Sequence, residues 1–143
     1  MDKSKIRRKI IKLRKKNYKK NFKIDIEKFF SFLKKNRYNF KNLGGYYPSN
    51  FEIDDLEILH LLERKYYNIS LPIIKKNNQM DFFKWNSGEP LKINKYGIPE
   101  PILQNISYPD ILLVPLVGFD KQLNRLGYGG GFYDRYIEKI EKK

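Results

Sequence analysis

Apolar side chains recur at three- and four-residue intervals in three stretches of the chain. Ile6, Ile10 and Leu13 stand at i, i+4 and i+7, which predicts an amphipathic helix over 3–20. Lys3 and Arg7, also four apart, share another face of it. A second helix is expected over about 24–36, with Phe29, Phe30 and Leu33 as its core side. Asp54 is placed to cap a third, "DLEILHLLERKY", whose Leu56, Leu59 and Leu62 fall on one face. Between and after these lie shorter patterns. "NLGGYYP" reads as a turn and an extended segment. "NISLPII" (68–74) is a short apolar run suited to a buried strand, and "MDFFKW" (80–85) alternates enough for another. "GIPEP" (97–101) reads as a loop. "DILLVPLVGFD" (110–120) is the most apolar stretch and is expected to be a central parallel strand, with Pro115 marking its end because proline cannot donate to a ladder. A last helix follows, with Tyr133, Ile137 and Ile140 at helical spacing. Strands alternating with helices in this way argue for an α/β fold.

Composition narrows the classes. The chain has 143 residues, no cysteine and one histidine, His60. One domain of that length buries a sizeable core without a staple. Disulfides, thiolate catalysis and Cys-type zinc sites are excluded, a His-rich metal site is not expected, and His60 receives no catalytic role. No apolar run reaches the ~18 residues of a membrane span, and the N-terminus lacks the apolar segment of a secretory signal. A cytoplasmic protein without a membrane partner is expected. The net charge of +14 invites a nucleic-acid reading, but 12 of the 30 basic residues lie in 1–23 and the rest of the chain is close to balanced. Lysine outnumbers arginine 23 to 7, and alanine and threonine are absent, a bias that inflates lysine whatever the function.

The most specific chemistry sits late in the chain, in "NRLGYGGGFYDRY" (124–136). Gly127, Gly129, Gly130 and Gly131 crowd between Arg125 and Asp134, ahead of the last helix. Glycine permits φ > 0 and close backbone approach, and a helix N-terminus offers unpaired N–H groups to an anion. A Walker A motif is excluded, because no Gly-Lys-Ser/Thr follows. The dinucleotide fingerprint is excluded as well, because Phe132 stands where its third glycine would fall.

As a whole, "VPLVGFDKQLNRLGYGGGFYDR" resembles the signature of the 5-formyltetrahydrofolate cyclo-ligase (5,10-methenyltetrahydrofolate synthetase) family. "KSKIR" (3–7), "YYPSNFEID", "LPII", "MDFFKW" and "GIPEP" resemble further landmarks of that family in the same order. The resemblance implies a three-layer, Rossmann-like open sheet, mostly parallel, with helices on both faces, in a single domain over 1–143. It implies conversion of 5-formyltetrahydrofolate to 5,10-methenyltetrahydrofolate with ATP as co-substrate and Mg²⁺. The implied nucleotide site comprises Lys3, Ser4, Lys5, Ile6 and Arg7 with Arg125, Leu126, Gly127, Tyr128, Gly129, Gly130, Gly131, Phe132 and Tyr133. Arg125 and Asp134 are the implied catalytic pair, with Asp134 on the metal. Tyr47 and Glu52 match the folate positions, and Phe82 and Trp85 offer an apolar wall for a flat pterin. Phe82 and Trp85 suit ordinary core equally well, Glu52 also suits a helix N-terminus, and Asp120 suits capping.

Family members continue past Tyr-Asp-Arg with further strands and a second acid. The expectation is therefore a sheet with an unpaired edge, Mg-ATP binding with slow or absent turnover, and a monomer whose route to self-association is that edge. The readings from other classes are a basic nucleic-acid-binding protein using the first helix and a folded remnant without activity.

Overall fold

The computed structural model describes residues 2–103 and 105–143. Helix α1 (Lys3–Asn17) is capped by Asp2, whose carboxylate accepts from the Ser4 amide at 2.9 Å. Asp25 caps α2 (Ile26–Lys35) through the Lys28 amide at 3.0 Å, and Phe29, Phe30 and Leu33 turn inward as the spacing predicts. Helix α3 (Leu56–Arg64) starts at a pair of acids. Asp55 holds the N-cap position, while Asp54 binds the Leu56 amide at 2.8 Å. Helix α4 (Phe132–Glu141) begins at Gly131. None of the described helices is long and apolar enough to cross a membrane.

Strands β1 (Asn42–Gly44), β2 (Asn68–Ile74), β3 (Met80–Lys84), β6 (Ile106–Ser107) and β7 (Ile111–Leu112) form one sheet in the order β6-β3-β2-β1-β7. β1 runs parallel to β2 and β7, and β3 runs antiparallel to β2 and β6. The fold is thus a mixed α/β arrangement around this sheet. Its two apolar clusters draw on different strands, β1 and β2 for one and β3 for the other, with Ile111 and Leu112 of β7 divided between them. Leu43, Ile69 and Leu71 pack with Ile58, Leu59 and Leu62 of α3, and Phe82 and Met80 pack with Tyr136 of α4.

The glycine pair after Leu43 explains the close layers. A Cβ on Gly44 would lie 2.8 Å from the Phe82 ring and 2.6 Å from Leu112, and one on Gly45 would lie 2.5 Å from Leu59. The start of "NLGGYYP", expected to be a turn and an extended segment, is strand: Asn42–Gly44 lies between β2 and β7, at the centre of the parallel half. Its shortness and glycines hide it, since its alternation is carried by one leucine.

Two further expectations change. The apolar stretch from 110 is not a central strand: only Ile111–Leu112 of it joins the five-stranded sheet, at the edge, and Asp110 fixes it beside β1 by accepting from the Lys41 and Asn42 amides at 3.0 and 2.9 Å. "GIPEP" is not a loop. Pro99–Pro101 forms β5, antiparallel to β4 (Leu91–Ile93). Asn94 donates to Ile98 at 3.0 Å, so the alternation of antiparallel pairs makes Lys92–Glu100 the next bonded pair. Pro99 and Pro101 then fall where no donor is required.

Candidate functional site

Helix α1 buries no residue. The side chains it turns inward are Ile6, Arg7, Ile10, Ile11 and Arg14 at half-buried positions, while Leu13 of the expected apolar face is 49% exposed. Ile10 reaches Gly118, but the directed contacts are made by arginines. Arg7 Nε donates to the Gly127 carbonyl at 2.7 Å. Arg14 donates to the Leu116 and Val117 carbonyls, both at 2.6 Å, and to the Tyr128 hydroxyl at 2.9 Å. The helix is therefore held against the glycine loop by two cations one heptad apart.

That loop follows a hairpin, not a central strand. β8 (Gly118–Phe119) pairs with β9 (Arg125–Leu126), and Asp120 closes the turn by accepting from the Gln122 and Asn124 amides at 2.9 and 2.8 Å. Beyond β9 the chain passes through Gly129 at φ 101° and Gly131 at φ 67°, conformations that favour glycine. Two of the loop's carbonyls are held by side chains: Gly127 by Arg7, and Gly130 by Arg135 Nη2 at 2.6 Å. Its amides are not. Among the described residues, no backbone N–H from Gly127 to Gly131 donates to a protein acceptor. The loop thus presents free donors with guanidinium groups beside it, and such a nest suits phosphate oxygens.

Arg125 donates to Asp134 on the first turn of α4 and, at 3.3 Å, to the Pro115 carbonyl. The Asp134 side chain is 74% exposed. Among the described residues, no group of three or more His, Asp or Glu side chains gathers to hold a metal. A lone exposed carboxylate fits a hard cation that brings phosphate oxygens with it, and does not make a closed protein cage.

Below the loop lies a buried polar cluster. Glu52 accepts from the Ser49 amide at 2.7 Å. Burial pushes its carboxyl above the usual range, and the nearby Tyr128 hydroxyl, the hydrogen bonds from Ser49 and the charge of Arg14 offset part of that rise. Asp55 is fully buried. Its Oδ2 accepts from the Tyr46 amide at 2.9 Å and its Oδ1 has no partner. Burial pushes this carboxyl up to about 7. Tyr46 donates to the Ile53 carbonyl at 2.7 Å. Tyr128 and Tyr133 complete the surround, and burial holds both phenols well above their ordinary range.

The structure brings together most of the positions singled out from the sequence. Arg7 meets Gly127, Arg125 meets Asp134, and Glu52 lies against Tyr128. Lys3 and Lys5 are exposed on the first turn of α1, and Ser4 completes the Asp2 cap through its hydroxyl. Tyr47 is half-buried beside the cluster's Tyr46. Phe82 and Trp85 are not brought together. They occupy strand positions of opposite parity and separate clusters: Phe82 supports the Tyr133 ring at 6.3 Å, and Trp85 packs with the α3 core and donates to the Glu89 carbonyl at 3.2 Å. His60 lies elsewhere, bonded to Ser87. Sequence reasoning missed Arg14, Arg135, Asp55 and Tyr46. Arg14 was detectable, since i and i+7 share a helix face, but it merged into a run of cations.

Comparison with known proteins bears on the family and the fold. A sequence model of the 5-formyltetrahydrofolate cyclo-ligase family matches residues 1–143. A 5-formyltetrahydrofolate cyclo-ligase of Haemophilus influenzae is 37% identical over 110 residues, covering 72% of this chain and 59% of that one. One from Mycoplasma genitalium is 32% identical over 104 residues, covering 72% and 54%. The chain thus spans less than two thirds of the length of these curated relatives. Among solved structures, the 5,10-methenyltetrahydrofolate synthetase of Aquifex aeolicus superposes with a TM-score of 0.74 at 29% identity, over 96% of this chain and 73% of that one. The synthetase of Mycoplasma pneumoniae shares the fold with a TM-score of 0.69 at 23% identity, over 97% and 79%. With its matched sequence and shared fold, this chain belongs to the 5-formyltetrahydrofolate cyclo-ligase family.

Proposed function

We propose that this chain binds Mg-ATP at the glycine loop and converts 5-formyltetrahydrofolate to 5,10-methenyltetrahydrofolate, releasing ADP and phosphate. The observation that carries this reading is the loop with its carbonyls tied by Arg7 and Arg135 and its amides free. On this reading the amides of 127–131 cradle the phosphates, and Lys3, Arg7 and Arg125 neutralise them from two sides. Phosphoryl transfer to the formyl oxygen needs positioning and charge neutralisation more than a protein nucleophile. Attack by N10 on the activated carbon then closes the ring and expels phosphate. Glu52, held by Ser49 and Tyr128, is placed to accept from pterin N–H groups, with Tyr47 beside it. Asp134 would supply one carboxylate oxygen to Mg²⁺, which lowers the charge on the transferred phosphoryl group when bound. Helices on the two faces of the sheet fit a three-layer, Rossmann-like description of the scaffold.

The reading is tested by following methenyltetrahydrofolate absorbance from 5-formyltetrahydrofolate with Mg-ATP. Product formation that requires both nucleotide and metal supports it. Binding of Mg-ATP without product supports the inactive form. A salt-dependent gain of thermal stability with DNA or RNA, and none with Mg-ATP, supports the nucleic-acid reading instead.

A further inference from the structure

The Arg14 guanidinium joins more segments than any single role at the phosphates would require. Its four hydrogen bonds reach the Leu116 and Val117 carbonyls before the hairpin, the Tyr128 hydroxyl within the glycine loop, and the Asn50 carbonyl at 3.4 Å in the turn that carries Glu52. Tyr128 in turn lies near Glu52, whose carboxylate accepts from the Ser49 amide at 2.7 Å in that same turn. One half-buried cation thus connects the helix bearing Arg7, the loop bearing the free amides and the segment bearing the carboxylate.

We propose that Arg14 is a positioning residue that couples the two substrate subsites, setting the glycine loop and Glu52 in register through Tyr128. The inference rests on the reading of the site given above. Arg14 touches neither substrate. It fixes the direction in which Tyr128 offers its hydroxyl, and so the orientation and ionisation of Glu52. The other groups facing Glu52 are Ser49 in its own turn, Tyr46 after β1, Asp55 before α3, and Tyr133 on α4. None of these is a cation, so the positive charge that favours ionised Glu52 comes from α1.

The test compares wild type with Arg14→Gln, Arg14→Lys, Tyr128→Phe and, as a control on the exposed face of α1, Lys12→Ala. Calorimetry measures 5-formyltetrahydrofolate binding with and without a non-hydrolysable Mg-ATP analogue. Carboxyl NMR follows the Glu52 titration in the ligand-free protein. Arg14→Gln and Tyr128→Phe are expected to weaken folate binding about tenfold, in line with loss of a hydrogen bond to a charged group. They should also abolish any effect of the nucleotide analogue on folate affinity and move the Glu52 titration to higher pH. Arg14→Lys, which keeps the charge, should restore the titration in part, and Lys12→Ala should match wild type. Tyr128→Phe removes a single oxygen, so it reports even if Arg14→Gln folds poorly. A Glu52 titration and a folate affinity unmoved in both Arg14→Gln and Tyr128→Phe would overturn the coupling role alone. Wild-type protein that binds neither Mg-ATP analogue nor 5-formyltetrahydrofolate would overturn the reading of the site, and the proposal with it.

Discussion

Helices α1 and α3 meet the rest of the molecule by opposite means. α3 inserts Ile58, Leu59 and Leu62, none more than 1% exposed, against Leu43, Ile69 and Leu71 of the sheet. α1 buries nothing and is held by Arg7 and Arg14 on loop carbonyls. Burying a leucine and bonding a guanidinium contribute similar free energies, each about 1.5–3 kcal/mol. They differ in what can replace them. Water cannot take the place of an apolar neighbour, but water or a phosphate can take the place of a carbonyl. The apolar contact therefore suits the element that fixes the sheet. The arginine contacts suit an element with no buried residue, whose carbonyl partners can be exchanged.

The comparison is broken most severely from the α3 side. Leu62 is fully buried, so Leu62→Ala should cost about 2–5 kcal/mol of stability. Denaturant unfolding measures it. A loss below about 1 kcal/mol would mean that α3 is not the anchor described.

Asp55 lies where the two regions join, under α3 and beside Glu52. Its folded pKa of about 7 stands above the ordinary 3.8, so the folded state favours the neutral acid. The stability this group contributes is fully present below pH ~4 and is lost as pH rises towards 7. Asn approximates the neutral acid without titrating. Asp55→Asn should therefore gain stability relative to wild type across that window, by at most about 1.4 kcal/mol per pH unit, with the difference flat above pH ~7. Parallel stability curves from pH 4 to 8 would show that Asp55 is ionised in the fold.

What was legible in the sequence divides along the same line. The helices, β2 and β3 were readable because burial on one face imposes a period. β1 and β7 were not, since strands of three and two residues carry no period and owe their place to neighbours: Gly44 admits Phe82, and Asp110 holds β7 beside β1. β5 was hidden by prolines that only its pairing register makes harmless. At the site, the glycine string and its flanking charges were legible as local chemistry. The polar cluster around buried Glu52 and Asp55 was not, because Tyr46, Glu52, Asp55, Tyr128 and Tyr133 converge from three separate segments. The tie made by Arg14 was passed over for another reason: its i, i+7 spacing from Arg7 puts it on the same face, but it stands in a run of cations.

From the α1 side, Arg7→Ala should weaken Mg-ATP binding roughly tenfold or more, since a hydrogen bond to a charged group contributes about 1.5–3 kcal/mol. Lys12→Ala and Lys16→Ala, on the exposed face, should change it little. Equal small losses at all three positions would favour diffuse electrostatic attraction. The thermal midpoint of Arg7→Ala should move far less than that of Leu62→Ala, which is the comparison in its simplest form.

The smallest expected effect sharpens the comparison within the loop itself. Gly129 at φ 101° lies outside the left-handed region that side chains tolerate, whereas Gly131, at φ 67° and ψ 15°, lies within it. A Cβ on Gly129 would also come within 3.3 Å of the Arg7 guanidinium, which has no slack while it bonds Gly127. A Cβ on Gly131 would come within 2.7 Å of the end of Arg135, which can turn into solvent only by exchanging its exposed hydrogen bonds to Asn78 and Gly130 for water. A strained φ costs about 1–3 kcal/mol, and an exposed loop relaxes part of it. Gly129→Val should therefore weaken Mg-ATP binding by about fivefold with little change in the thermal midpoint, while Gly131→Asn, a residue that tolerates left-handed backbone, should stay near wild type. If Gly131→Asn were the worse of the two, the free amides nearest α4 would be the ones that hold phosphate, and the contact between Arg7 and the loop would serve only to dock α1.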